Sequence, residues 1–157
     1  MKKNIKYLVM DVDGTLTDGK IYIGDKGELF KAFHIKDGCG IHDIIPSLNI
    51  IPIIITGRES DIILNRCKEL GISEIYQGVS DKMKSLIEIT KDLSSVAYIG
   101  DDINDFLCMK EVKSAGGIIG CPNDAVKKVL ELADFVAEHN GGNGAVREFI
   151  EWIVDNK

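Results

Sequence analysis

Residues 6–19 read KYLVMDVDGTLTDG. Tyr7, Leu8, Val9 and Met10 make an apolar run that predicts a buried strand, and two acids, Asp11 and Asp13, stand at its end. Burying charge is costly unless it is paired or coordinates a metal. A bare D-x-D-G also fits an ordinary polar strand end before a turn, so the rest of the chain has to decide between the two.

Outward from that stretch, apolar runs alternate with helical patterns. Strands are predicted at Lys6–Val12, Pro52–Thr56, Glu74–Gln77, Val96–Gly100, Ala115–Ile119 and Asp134–Ala137. The second starts at Pro52 because proline is tolerated at a strand start or edge. Met83, Leu86, Ile87 and Thr90 recur at helical spacing, as do Ile63, Cys67 and Leu70, with Gly71 placed to end that helix. Asn123 is positioned to cap a helix running to about Leu132, and Gly144–Val154 reads as a last helix. Alternation of this kind predicts an α/β, Rossmann-like fold, a mostly parallel sheet flanked by helices. Lys20–Ile23 and Leu29–Phe33 interrupt it and read as an inserted β-hairpin, about residues 20–34. The 157 residues are expected to form a single domain, residues 1–157.

In such folds ligands bind beyond the carboxyl ends of the strands. The first strand ends in Asp11-Val12-Asp13, the second in Thr56-Gly57-Arg58, and the 96–100 strand runs into Asp101-Asp102-Ile103-Asn104-Asp105. All three polar clusters thus fall on one edge of one sheet. Crowded carboxylates repel one another, and a hard divalent cation such as Mg²⁺ relieves this. A hydroxyl, a backbone N–H and Lys82 would suit a phosphate, and a carboxylate can act as nucleophile. Asp11 and Asp13, two apart on a strand, are expected to share a face. Taken alone, Lys82 would be an ordinary solvated lysine opening a helix after Ser80-Asp81, Asn104 a helix cap, and Asp101 and Asp102 acids near a helix N-terminus.

Composition narrows the alternatives. The net charge is −6 and no basic stripe stands out, which argues against a nucleic-acid partner. An anionic substrate would therefore need cations supplied locally. No apolar run reaches the ~18 residues of a membrane span. The run after the basic MKKNIK stops at Asp11, too short for a signal peptide. Cys39, Cys67, Cys108 and Cys121 lack C-x-x-C spacing, and His34, His42 and His139 lack metal-ligand spacing. Reduced, mostly buried thiols in a cytoplasmic protein are expected.

D-V-D-G-T, T-G, a lysine and G-D-D-x-N-D, in that order, resemble the haloacid dehalogenase superfamily of phosphohydrolases. The resemblance implies that Asp11 is the nucleophile and Asp13 the general acid/base. It implies that Asp11, the Asp13 carbonyl and Asp101 hold Mg²⁺, with Asp102 supporting the metal. Thr56 and the Gly57 N–H would bind phosphate and Lys82 would neutralise it, oriented by Asp105 and Asn104. The 39 residues from 17 to 55 and the 25 from 57 to 81 leave no room for a separate cap domain.

Longer stretches carry a closer likeness: DGKIYIGDKGE, KDGCGI, IITGRES, RCKELGI, QGVSDK, AYIGDDIND and GGNGAVRE resemble the capless 3-deoxy-D-manno-octulosonate 8-phosphate phosphatases from about Lys6 to Val154. That family implies a phosphorylated sugar-acid substrate, a place in lipopolysaccharide sugar biosynthesis, and a homotetramer with hairpins at its centre and shared active sites. Arg58 is the first candidate for the carboxylate or sugar end, followed by Arg66 and Arg147. The bland alternatives are a surface ion pair for Arg66 and a solvated position in the last helix for Arg147, with Gly141–Gly144 a flexible lead into it. A sister group resembling this family acts on nine-carbon sialic-acid-type 9-phosphates, with an acid at the Arg58 position and a lysine at the Glu69 position. Arg58 and Glu69 therefore favour the eight-carbon substrate. Two other classes compete: a non-catalytic module like those fused to sugar-nucleotide synthetases, disfavoured by the intact acid and lysine set, and an aspartyl-phosphate receiver, whose acid lies mid-chain.

Overall fold

The structure, a computed structural model, describes residues 3–156. Six strands form one parallel sheet in the order β5-β4-β1-β6-β7-β8: β1 Tyr7–Met10, β4 Ile51–Ile55, β5 Glu74–Tyr76, β6 Val96–Ile99, β7 Ile118–Cys121 and β8 Phe135–Val136. β1 is central, with Met10 opposite both Ile54 of β4 and Ile99 of β6. Strand side chains alternate between two cores, as a sheet covered on both faces requires. Leu8, Met10, Ile54 and Ile99 pack with Ile41, Ile63, Phe149 and Ile153. Val9, Ile53, Ile55 and Tyr98 pack with Leu86, Met109 and Val129. One face is thus covered by helices α1 Ile35–Cys39, a π-helical turn Gly40–Ile44, α2 Ile45–Ser47, α3 Asp61–Glu69 and α7 Ala145–Asn156. The other is covered by α4 Lys82–Thr90, α5 Ile103–Ser114 and α6 Lys127–Leu132.

Several sequence expectations shift. β4 starts at Ile51, so Pro52 lies inside a strand that has neighbours on both sides. The Ile51 N–H donates to Lys6 on the β1 side. By alternation the missing Pro52 donor faces the β5 side, where pairing begins only at Ile53. The strand expected at Ala115–Ile119 lies three residues later at its start, because Ala115 caps α5 and Gly116, at φ +96°, turns the chain. The helix expected to follow an Asn123 cap starts at Lys127, because the Val126 N–H is spent on the Asp101 carbonyl, 2.9 Å away.

The hairpin forms, as β2 Tyr22–Gly24 and antiparallel β3 Gly27–Phe30 around Asp25-Lys26, shorter than expected. The Tyr22 and Phe30 rings stack at 4.4 Å, while Ile23 and Leu29 are 70% and 63% exposed. No cap domain stands over the strand ends among the described residues.

Candidate active site

Beyond the carboxyl ends of β1, β4 and β6 lies a cavity of about 270 Å³, lined by Asp11, Asp13, Gly14, Gly19, Thr56, Gly57, Arg58, Asp101, Asp102 and Asn104. Asp11 follows β1 directly and is buried, as is Thr56 after β4. β1 ends at Met10, so the expected strand periodicity does not relate Asp11 to Asp13. Instead the chain turns, with Thr15, Leu16 and Thr17 N–H groups all donating to the Val12 carbonyl. Gly14 makes this turn possible. Its φ is +90°, and a Cβ there would lie 2.1 Å from Asp101 Oδ2.

Lys82 opens α4, whose N-terminus is capped by Asp81 accepting from the Lys84 N–H at 3.0 Å. Its side chain is buried, unlike an ordinary helix-surface lysine. Nζ lies 2.8 Å from Asp11 Oδ1 and 2.8 Å from Asp105 Oδ1. Burial works against its charge, but Asp11 and Asp105 outweigh this and hold its pKa above the usual lysine value. Asp105 is fully buried in the first turn of α5. Its Oδ1 also accepts from the Tyr98 hydroxyl at 2.8 Å, and its Oδ2 from the Asp101 N–H at 3.2 Å. The α5 cap is Asp102, not Asn104. Asp102 and Asp105 form a reciprocal capping box, while Asn104 faces the cavity from within the helix.

Burial and the neighbouring Asp105 push Asp11 up to about 8, with Lys82 opposing and Asp101 adding to the rise. Burial pushes Asp101 up to about 7 against the Thr15 hydroxyl, which donates to Asp101 Oδ1 at 2.9 Å. Carboxyl oxygens of Asp11, Asp101 and Asp105 come within 4.8 Å of one another. Asp105 is committed to Lys82, Tyr98 and backbone donors, which leaves Asp11 and Asp101 as the pair to receive a cation. Magnesium favours such a site, with one or two carboxylates completed by water and phosphate oxygens. The donor set therefore fits Mg²⁺.

Asp13 meets cations from elsewhere. Lys31, just after β3, places Nζ 2.6 Å from Asp13 Oδ1 and 2.8 Å from Glu28 Oε1. Arg58 approaches Asp13 Oδ2 at 3.9 Å and Glu28 at 3.7 Å. Arg58 at the cavity and Lys82 against Asp11 are the local cations nearest the strand ends, while Lys31 is spent on Asp13 and Glu28. Sequence reasoning missed Lys31, Glu28, Thr15 and Tyr98.

Arg66 and Arg147 do not line this cavity. Arg66 pairs with Glu69 at 2.8 Å and lies over the Phe33 ring at 5.7 Å. Arg147 pairs with Glu151 at 2.7 Å, and its N–H donates to buried Asp37, which ties α1 to the start of α7. The glycines ahead of α7 are a packing device rather than a flexible lead. A Cβ on Gly141 would lie 1.8 Å from the Gly14 carbonyl oxygen, and the Gly142 N–H donates to the Thr15 carbonyl at 3.1 Å.

A parallel α/β sheet that ends in a buried aspartate, a lysine bridging two acids and a threonine beside carboxylates that fit a divalent cation defines a haloacid-dehalogenase-type phosphohydrolase. The relatives agree. The 3-deoxy-D-manno-octulosonate 8-phosphate phosphatase KdsC of Salmonella typhi is 40% identical over 156 residues, covering 97% of this chain and 80% of the relative. That of Yersinia pestis is 42% identical over 155 residues, covering 96% and 80%. The Moraxella catarrhalis phosphatase of the same name, solved with magnesium, phosphate and KDO, superposes with a TM-score of 0.90 at 40% identity, covering 99% of this chain and 88% of that one. The cobalt-bound Haemophilus influenzae enzyme gives 0.89 at 34%, covering 98% and 89%. No protein-family model matches the chain. On these relatives, the chain belongs to the 3-deoxy-D-manno-octulosonate 8-phosphate phosphatase family.

Proposed function

We propose that this chain is a Mg²⁺-dependent phosphatase that hydrolyses 3-deoxy-D-manno-octulosonate 8-phosphate through an aspartyl-phosphate on Asp11. The observation that carries this reading is the buried Asp11–Lys82–Asp105 chain at the mouth of β1, in a protein 40% identical to curated phosphatases for that substrate. Asp11 attacks phosphorus while the bond to the sugar oxygen breaks, and Asp13 gives that oxygen its proton. Water then attacks the phosphorus of the aspartyl-phosphate and passes a proton to Asp13, which releases phosphate and restores Asp11. Thr56 and the Gly57 N–H bind the phosphoryl oxygens, Lys82 balances their charge, and Asp105 orients Lys82. Asp11, Asp101 and the Asp13 carbonyl hold Mg²⁺, which supplies charge neutralisation for the transferring group.

Arg58, half-exposed at the cavity, receives the carboxylate or sugar end. Arg66 and Arg147 serve a site only across a subunit boundary. The exposed apolar residues of the hairpin, Ile21, Ile23, Leu29 and Phe30, support a homotetramer with hairpins packed together. Four free cysteines support a cytoplasmic setting. Among the described residues no helix is long and apolar enough to cross a membrane.

The test is kcat/KM with Mg²⁺ on a panel of eight- and nine-carbon phosphorylated sugar acids. Preference for the eight-carbon compound is expected. Preference for a nine-carbon compound, or full turnover in chelator, overturns the assignment. Light scattering tests the assembly, and a monomer at micromolar concentration contradicts the shared site.

A further inference from the structure

The hairpin presents most of its apolar side chains to solvent, yet one of its side chains turns inward. The Lys31 side chain is 3% exposed, although the preceding residue, Phe30, is exposed. A buried ammonium is tolerated only when fully paired. Lys31 has two partners: Asp13 Oδ1 at 2.6 Å and Glu28 Oε1 at 2.8 Å. Burial works against its charge, but the two carboxylates outweigh it and raise its pKa. The second oxygen of Glu28 accepts from the Ser60 hydroxyl at 2.8 Å, and Ser60 caps α3 through the Ile62 N–H. The hairpin is thus latched at one point to the turn after β1 and to the segment after β4.

The latch leaves the two oxygens of Asp13 unequal. Oδ1 is held by Lys31. Oδ2 is buried and makes no hydrogen bond, and Arg58 Nε lies 3.9 Å from it. A buried acceptor left without a donor is rare and calls for an explanation. We propose that Lys31 is a positioning residue for Asp13: by holding Oδ1 from the hairpin side, it fixes the carboxyl group that exchanges the proton with the leaving sugar oxygen and then with water. Lys31 does not touch the substrate. The inference rests on the proton-transfer role given to Asp13 above, and Glu28 shares in it by anchoring Lys31.

The experiment uses the full chain with saturating Mg²⁺ and two substrates, the sugar-acid phosphate and p-nitrophenyl phosphate. Nitrophenolate leaves without a proton, so its first-turnover burst does not need an aligned acid, whereas the sugar alcohol does. General acid–base catalysis contributes roughly 10²–10⁴-fold. Lys31→Met is therefore expected to lower kcat on the sugar phosphate about a hundredfold with KM within about threefold, to keep the nitrophenolate burst within about threefold, and to slow the steady state that follows it. Lys31→Arg, which keeps the charge and donors, should recover at least about tenfold of the loss. A kcat for Lys31→Met within threefold of the parent, a loss in KM alone, or a burst slowed as much as kcat would overturn the proposal. If Lys31→Met does not fold, Glu28→Gln gives the same readout, with a smaller loss of the same pattern expected and parental rates again overturning it. A parent enzyme inert toward the sugar phosphate refutes the proposed substrate, and the nitrophenyl burst and steady state still report on Lys31.

Discussion

Lys82 Nζ and Asp11 Oδ1 lie 2.8 Å apart, both side chains almost wholly buried. Removing the lysine leaves the carboxyls of Asp11 and Asp105 without their common cation. Breaking a buried pair costs about 3–5 kcal/mol, and losing an electrostatic contact to the transferring group costs about 10²–10³ in rate. Lys82→Ala is expected to lower the melting temperature clearly and to reduce kcat at least about a hundredfold. Calorimetry and steady-state kinetics check both.

Asp11→Asn should abolish turnover without harming the fold. Burial and the charge of Asp105 push the Asp11 pKa up to about 8, so the neutral amide removes a strained charge. The metal-free variant at pH 8 is expected to melt no lower than the parent. Parental turnover would sink the nucleophile assignment, and a large drop in melting temperature would make Asp11 a structural residue.

The same shifts give the metal-free protein a pH dependence. Asp11 and Asp101 have folded pKa values near 8 and 7, above the 3.8 expected in the unfolded chain. Between these limits the folded state binds more protons than the unfolded one, so stability is lost as pH rises. The contribution is fully present below about pH 4 and gone above about pH 8. Melting without metal should therefore decline from pH 5.5 to 8.5, and Mg²⁺ should raise it more at the upper end. Asp11→Asn should flatten the slope.

Thr15 donates to Asp101 Oδ1 at 2.9 Å and so orients one of the carboxylates proposed to hold the cation. Partners of metal ligands typically affect affinity by about 10–100-fold. Thr15→Val is expected to raise the Mg²⁺ concentration for half-maximal activity about tenfold at nearly unchanged maximal rate. Titrating activity with Mg²⁺ decides it.

Much of the frame was legible because it depends on local periodicity. Six apolar runs became six parallel strands, and each of the three polar clusters contributes residues to one cavity, with Asp105 buried behind it. The strand at Ile118–Cys121 was misplaced because Ala115-Gly116-Gly117 is apolar in composition but acts as a helix stop. α5 is not legible as an amphipathic helix because its apolar residues do not keep to one face: Met109 and Val112 are buried while Ile103 and Leu107 are exposed. Within the site, Thr15, Tyr98 and Lys31 gain their importance from partners distant in sequence: Thr15 from Asp101, Tyr98 from Asp105 and Lys31 from Asp13. Lys31 in particular lies in an apolar stretch where a lysine marks nothing.

The contact of Gly141 and Gly142 with the turn at Gly14–Thr17 joins segments distant in sequence. During synthesis Asp11 emerges well before the glycines that back its turn. A nascent chain carrying Asp11, Asp13 and Lys82 but not Gly141 and Gly142 would still lack the surface against which the first turn sets, so catalytic competence should appear only after those glycines have left the ribosome.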